Sequence, residues 1–261
     1  MSILMVLLMG MTAGILGAIL GIGGGVVMLP ASEILLGLSS PVAVGTTLFA
    51  VIFTSVSGAF GHYRKGNVEV KSGLLVALGG ITGVCAGSYI FKQYLTTNVE
   101  LLKVLLGIIF LIMAAKMAWE VYAGWQKGEK ADETKEKKIP FYYLILLGIF
   151  TGTLTGLLGL GGGFIMVPAM MWMLNLKPAK AAGTTLLAML PIALFGGMIK
   201  LLQGFVDFET GFLMGLGTVI GAQIGVKISN VIRPELFKVC FTIIFILLAF
   251  DYLQSFVHML L

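Results

Sequence analysis

Between its clusters of charge this chain runs for long distances without an Asp, Glu, Lys or Arg: residues 3–32, 42–61, 72–91, 104–115, 141–176 and 239–250 contain none. Several of these stretches exceed the roughly 20 residues that a helix needs to cross about 30 Å of hydrocarbon. They are apolar all round and lack the apolar–polar alternation of a membrane β-barrel strand. Glycines, prolines and charges divide the chain into ten predicted helical elements. The first five lie near 3–20, 26–37, 41–61, 70–92 and 99–122, the second five near 141–158, 164–175, 179–201, 208–229 and 234–257. The elements at 26–37 and 164–175 have only 12 residues each. That is too short for an ordinary crossing and fits half-helices.

The two sets of five are copies. GIGGGVVMLP at 21–30 recurs as GLGGGFIMVP at 159–168, an offset of 138 residues, and AVGTTL at 43–48 recurs at the same offset as AAGTTL at 181–186. The offset also carries Gly58, Gly66, Gly73, Gly83 and Gly87 onto Gly196, Gly204, Gly211, Gly221 and Gly225. Near the end it becomes 135, pairing Lys103-Val104 with Lys238-Val239. The reading is an all-α integral membrane protein with a first membrane repeat at 1–123 and a second at 141–261. A charged linker at 124–140 joins them, and its core KGEKADETKEKK is a solvent loop. The N-terminal MSILMVLLMGMTAGILG lacks the basic start of a signal peptide and has a counterpart opening the second half, so it is assigned to the fold.

Loop charge orients the halves. With an odd number of crossings per half, the repeats are inverted. One side then carries 13 Lys and Arg, the linker lysines among them, against Lys92, Lys103 and Lys200 on the other. With an even number the repeats are parallel and the tally falls to 9 against 7. The positive-inside bias selects the inverted arrangement, with the linker cytoplasmic and both termini outside. A Gly-rich tip followed by a short helix favours a re-entrant dip over a full crossing for the first element of each half, a broken helix being the other form.

Composition agrees: the chain is 58% hydrophobic and 11% charged, with a mean hydropathy of +1.04, far too apolar to cover a soluble domain. Its 36 glycines suit close packing between membrane helices. The net charge of +5 is scattered among loops and marks no nucleic-acid surface. Cys85 and Cys240 lie inside apolar runs as small hydrophobes, indicating neither a disulfide nor a metal site. The 15 methionines read as apolar fill, and Trp119, Trp125, Tyr142 and Tyr143 as interfacial belts, while Trp172 lines a cavity or packs.

The sharpest candidate chemistry is the pair of triplets Gly23, Gly24, Gly25 and Gly161, Gly162, Gly163. Each precedes a short helix, whose unpaired N–H groups and dipole favour an anion. Two inverted copies would bring both helix ends toward the midplane; tight helix packing is the competing role. Neither triplet has the spacing of a nucleotide loop. Thr46, Thr47, Thr184 and Thr185 follow as hydroxyl ligands for an oxyanion, or as helix residues bonded to their own backbone. Ser40-Pro41 reads as a helix cap with proline at the first position. His62 pairs with Lys200, and Glu69 with Asp207, at the 138-residue offset; these read as snorkelling cations and helix N-terminal acids at the interface. Glu33, the acid of the first short helix, is the candidate coupling residue, and Gln223 is placed to bond within the bundle.

The duplicated Gly-Gly-Gly…Pro followed by Gly-Thr-Thr resembles the TauE/SafE group of sulfite exporters, also called the toluene sulfonate uptake permease family. The resemblance covers nearly the whole chain. It implies transport of sulfite, a sulfonate or a related small sulfur-containing anion across the bacterial inner membrane. The motif positions are the two glycine triplets, Pro30, Pro168, Thr46, Thr47, Thr184 and Thr185. With no ATP-binding motif, energy comes from a proton or sodium gradient, the substrate gradient or a partner subunit. An anion channel is the alternative. A membrane-embedded enzyme is disfavoured, since only His62 and His258 supply imidazole. No cofactor and no metal are expected.

Overall fold

The computed structural model describes residues 3–127, 139–229 and, beyond them, 242–243, 245–247, 249–250 and 252–254. Most of the linker (128–138), Arg233, Lys238, Cys240, Asp251 and His258 lie outside the described residues, as does the side chain of Trp125.

No strand occurs among the described residues. The helices are α1 (Ile3–Leu20), α2 (Gly25–Ile34), α3 (Ser40–Arg64), α4 (Val70–Ile90), α5 (Val99–Lys127), α6 (Phe141–Leu158), α7 (Gly163–Leu174), α8 (Pro178–Leu202) and α9 (Phe208–Ile228), with a π-helical turn Phe91–Leu95 after α4. Most boundaries fall within a few residues of those expected, because glycines and prolines set them locally. Gly24 and Gly162, at φ 78° and 64°, precede α2 and α7 in the left-handed region that glycine enters without strain. Among the described residues six helices are long and apolar enough to cross a membrane: α1, α3, α4 with its π turn, α6, α8 and α9. The outward faces are themselves apolar, with Leu4, Phe60, Leu78 and Ile220 exposed, as a hydrocarbon solvent requires. The protein is a multi-pass helical membrane protein.

The chain divides into two compact units. One comprises Met1–Tyr94 with Glu136–Asn230, the other Leu95–Lys135 with Val231–Leu261. In the second, the Phe110 ring of α5 stacks on Phe245 and Tyr252, and Gly107 packs against Leu253.

Glycine builds the first unit. A Cβ on Gly79, Gly83 or Gly87 of α4 would run into the carbonyls of Ile145, Ile149 or Thr153 of α6. In the same way Gly217, Gly221 and Gly225 of α9 abut the carbonyls of Leu7, Met11 and Ile15 of α1. Such close backbone approach is how membrane helices gain packing energy when lipid supplies no hydrophobic drive. In both pairs residue numbers rise together, so the helices are parallel. Gly45, Gly58 and Gly183 instead place α3 and α8 antiparallel, opposite Phe205, Leu186 and His62. Gly211 and Gly215 of α9 meet Phe49 and Phe53, and Gly73 and Gly80 of α4 meet Leu187 and Ile192. Hence α1, α3 and α9 run one way, and α4, α6 and α8 the other.

Candidate functional site

After α1 the chain turns at Gly21–Gly24 and returns as α2 alongside it, with Gly24 against the Ala13 carbonyl. The segment Gly159–Gly162 makes the same turn between α6 and α7. Both turns are fully buried, and they meet. Gly25 packs against the Leu160 carbonyl, and Gly163 against the Gly21 carbonyl. Cβ atoms on Gly23 and on Gly161 would both strike the Met189 methyl group, with Val51 as the next neighbour of each. Val51 and Met189 are the twelfth residues of the 25-residue helices α3 and α8, so both tips lie at mid-depth.

The helical ladders of α2 and α7 open with bonds from Val27 and Met28 to the Gly24 carbonyl, and from Ile165 and Met166 to the Gly162 carbonyl. The N–H groups ahead of them belong to no helical turn. Two helix N-termini thus converge on one point without a charged side chain, since the buried residues among those described that are His, Lys, Arg, Asp or Glu are His62 and Lys200, near the ends of α3 and α8.

The four threonines divide by role. Thr46 Oγ1 accepts from the Asp207 N–H at 2.9 Å, and Thr184 Oγ1 accepts from the Glu69 N–H at 2.8 Å. The neighbouring Gly45 and Gly183 admit the Phe205 and Asn67 carbonyls. Each Gly-Thr pair therefore clasps a loop of the opposite half, Thr46 the one leading into α9 and Thr184 the one leading into α4. Thr47 and Thr185 remain: both are buried, the Thr47 hydroxyl makes no hydrogen bond, and Thr185 donates to Met170 Sδ of α7 at 3.5 Å.

Other expectations meet mixed outcomes. Glu69 and Asp207 are N-caps, accepting from the backbone N–H of Ser72 and Thr210. Gln223 donates to the Ser57 carbonyl at 2.7 Å. The snorkelling expected of His62 and Lys200 is overturned, because both are fully buried; His62 Nε2 lies 2.9 Å from the Ala18 carbonyl oxygen. Their positions near helix ends suggested an interface, but neighbouring helices cover them. The cap of α3 is Ser39, in extended conformation, with Ser40 already helical and Pro41 in the first turn. Trp172 neither lines a cavity nor packs, being 82% exposed. Glu33 is half-buried in the last turn of α2. Cys85 is exposed and free. Sequence reasoning missed Met189 and Val51, although the offset of 138 pairs them.

A cavity of about 540 Å³ opens beside the clasped loop of the first half, lined by Glu69, Lys71 and Ser72 of the α4 start, Pro140 and Phe141 of the α6 start, and Leu176. This is the size range of small-molecule sites.

Residues 6–252 match the family model described as sulfite exporter TauE/SafE. The probable membrane transporter protein YdhB of Bacillus subtilis (strain 168) is 32% identical over 90% of this chain and 92% of its own length. A second from that organism, YunE, is 26% identical over 95% and 96%. A probable membrane transporter protein of Methanocaldococcus jannaschii is 27% identical over 88% of each chain. No solved structure matches. With a family match over nearly its whole length and relatives named as membrane transporters, the chain belongs to the TauE/SafE sulfite exporter family.

Proposed function

We propose that this protein is a secondary transporter carrying a small sulfur-containing anion, sulfite or a sulfonate, across the cytoplasmic membrane by alternating access. The two glycine tips are its central site. The observation that carries this reading is the convergence of Gly23 and Gly161 on one side chain, Met189. The N–H groups at Gly24–Gly25 and Gly162–Gly163 attract the anion, each helix dipole adding about 0.3–1 kcal/mol and up to ~2 when partly buried. With no cation at the centre, binding stays weak enough for release. Thr47 and Thr185, one turn before Val51 and Met189 on α3 and α8, supply hydroxyls, while Thr46 and Thr184 position the loops. The Met189 methyl fills the space between the tips, so the anion enters as this flexible side chain swings aside.

The halves 1–123 and 141–261 act as inverted repeats about the cytoplasmic linker 124–140. The opposed directions of α1, α3 and α9 against α6, α8 and α4 support this, as do tips lying at mid-depth. Rocking one half against the other then exposes the tips to each face in turn. Glu33 is the candidate for coupling to a proton or sodium ion.

The test is uptake of radiolabelled sulfite into proteoliposomes under imposed proton or sodium gradients, with sulfate, thiosulfate and taurine as competitors. Saturable, competed flux is expected. Discrete single-channel currents would make the protein a channel, and a folded protein moving no sulfur anion would remove the substrate class. Leucine at Gly24 or Gly162 is a blunt probe, because the new Cβ meets the Ala13 carbonyl at 2.7 Å or Thr155 Oγ1 at 2.6 Å. Gly161→Ala is sharper: besides the strain of an alanine at φ 85°, it pushes only on the flexible end of Met189. It should cut flux by about tenfold, and Met189→Ala in the same chain should recover the part due to that contact, as two coupled neighbours do, leaving the part due to backbone strain. Additive losses would sink the shared site.

A further inference from the structure

Away from the tips, one polar junction of the bundle lacks partners. Lys200, in the last turn of α8, is fully buried, and its Nζ makes no hydrogen bond. The ammonium lies 2.9 Å from the centroid of the Phe91 ring. That cation–π contact offsets only part of the cost of drying a charge. Among the described residues no Asp or Glu is fully buried. Two more orphans share the junction, the Ser88 hydroxyl in the last turn of α4 and Gln203 Oε1. Gln203 is anchored there by its Nε2, which donates to the Ser88 carbonyl at 3.3 Å.

The surroundings resemble a gate. Phe91 opens the π-helical turn 91–95, an irregularity that recurs at functional sites. Phe205, half-buried, packs edge-on against Phe91 with centroids 5.5 Å apart. The loop carrying Phe205 is clasped by Gly45 and Thr46, so the first Gly-Thr motif positions this aromatic cover. Since α4 and α8 begin beside the cavity and end here, the junction lies at the far end of the bundle from it. The corresponding position, His62, has its Nε2 paired with a carbonyl.

We propose that Lys200 and Ser88 form a second anion station, where a small oxyanion serves as the lysine's counter-ion once Phe205 parts from Phe91. This deepens the reading of the chain as an anion carrier and assigns it an unlike pair of entrances. Ammonium and hydroxyl both donate, as an oxyanion requires, and the closed aromatic pair accounts for a dry, unpaired lysine in the present conformation.

Sodium sulfite is titrated against sodium chloride at equal ionic strength while the thermal unfolding midpoint of the purified, detergent-solubilised protein is followed. Sulfite should raise the midpoint of the wild type. Lys200→Gln should raise the half-saturating sulfite concentration by about tenfold or more, the loss of a charge-assisted hydrogen bond. Lys200→Arg, which keeps the charge, should change it less, and Ser88→Ala by a few-fold. The idea is overturned if the wild type shows no sulfite-dependent shift, or if cooperatively unfolding Lys200→Gln and Ser88→Ala proteins titrate like it. Proteoliposome flux separates the two readings. A wild type that binds sulfite through Lys200 yet moves none keeps the station and loses the transporter. One that moves sulfite while Lys200→Gln binds and transports identically loses only the station.

Discussion

Positions 62 and 200 close the two ends of the bundle, and they are treated differently. His62, at the end of α3, is buried with its Nε2 on the Ala18 carbonyl; Lys200, at the end of α8, is buried with its ammonium over an aromatic ring and no hydrogen-bond partner. One turn on the donors differ, a lysine against a glutamine, but they reach equivalent carbonyls. Lys65 donates to the Val226 carbonyl at 2.6 Å, and its counterpart Gln203 donates to the Ser88 carbonyl at 3.3 Å. At mid-depth a valine, Val51, answers a methionine, Met189. By contrast, the parts that build the frame are duplicated almost atom for atom: left-handed glycines before α2 and α7, N-cap acids before α4 and α9, and a threonine clasping each preceding loop. On the proposed reading, sameness in the frame would bring two opposed conformations close in energy, as alternating access needs. Difference at the lining would then let the two faces handle the proposed anion unequally.

The largest effects should fall on the frame, and equally on both halves. Gly25→Val and Gly163→Val each drive a side chain into a backbone carbonyl, Leu160 at 2.7 Å or Gly21 at 2.5 Å. Each should destabilise the protein by more than about 3 kcal/mol, since backbone cannot yield as a side chain does. Comparable drops in unfolding midpoint are expected, and a tolerated change in only one half would break the equivalence of the tips.

The ends should then part company. Lys200→Met removes an unpaired buried charge at similar volume and should stabilise the protein by about 1–4 kcal/mol. His62→Leu strands the Ala18 carbonyl and should cost about 1–3 kcal/mol. Opposite signs in denaturation experiments would confirm the asymmetry; a loss at both positions would mean that Lys200 is satisfied where it sits. Smallest of all, Thr46→Val and Thr184→Val should each cost about 1 kcal/mol by removing one acceptor. The two should match within error, as a duplicated clasp requires.

Much of this molecule was legible beforehand. The boundaries of α1 to α9, the short α2 and α7 and the tip glycines were readable because hydrocarbon thickness, proline and left-handed glycine act on local sequence. The Glu69 and Asp207 caps were readable for the same reason. Burial was not. A helix that is apolar all round carries no stripe to say which face meets protein and which meets lipid, so His62 and Lys200 were assigned to the interface when neighbouring helices cover them.

By itself, then, the sequence determined a duplicated, all-helical membrane chain with two glycine turns, each opening a half-helix. Tertiary structure alone decided that both turns share Met189 and that each Gly-Thr pair holds the loop of the other half. It also decided that one lysine is left dry without a partner. These depend on contacts between different helices, most of them between residues more than a hundred positions apart, and such contacts are set by how helices pack, which no local pattern in an all-apolar segment encodes.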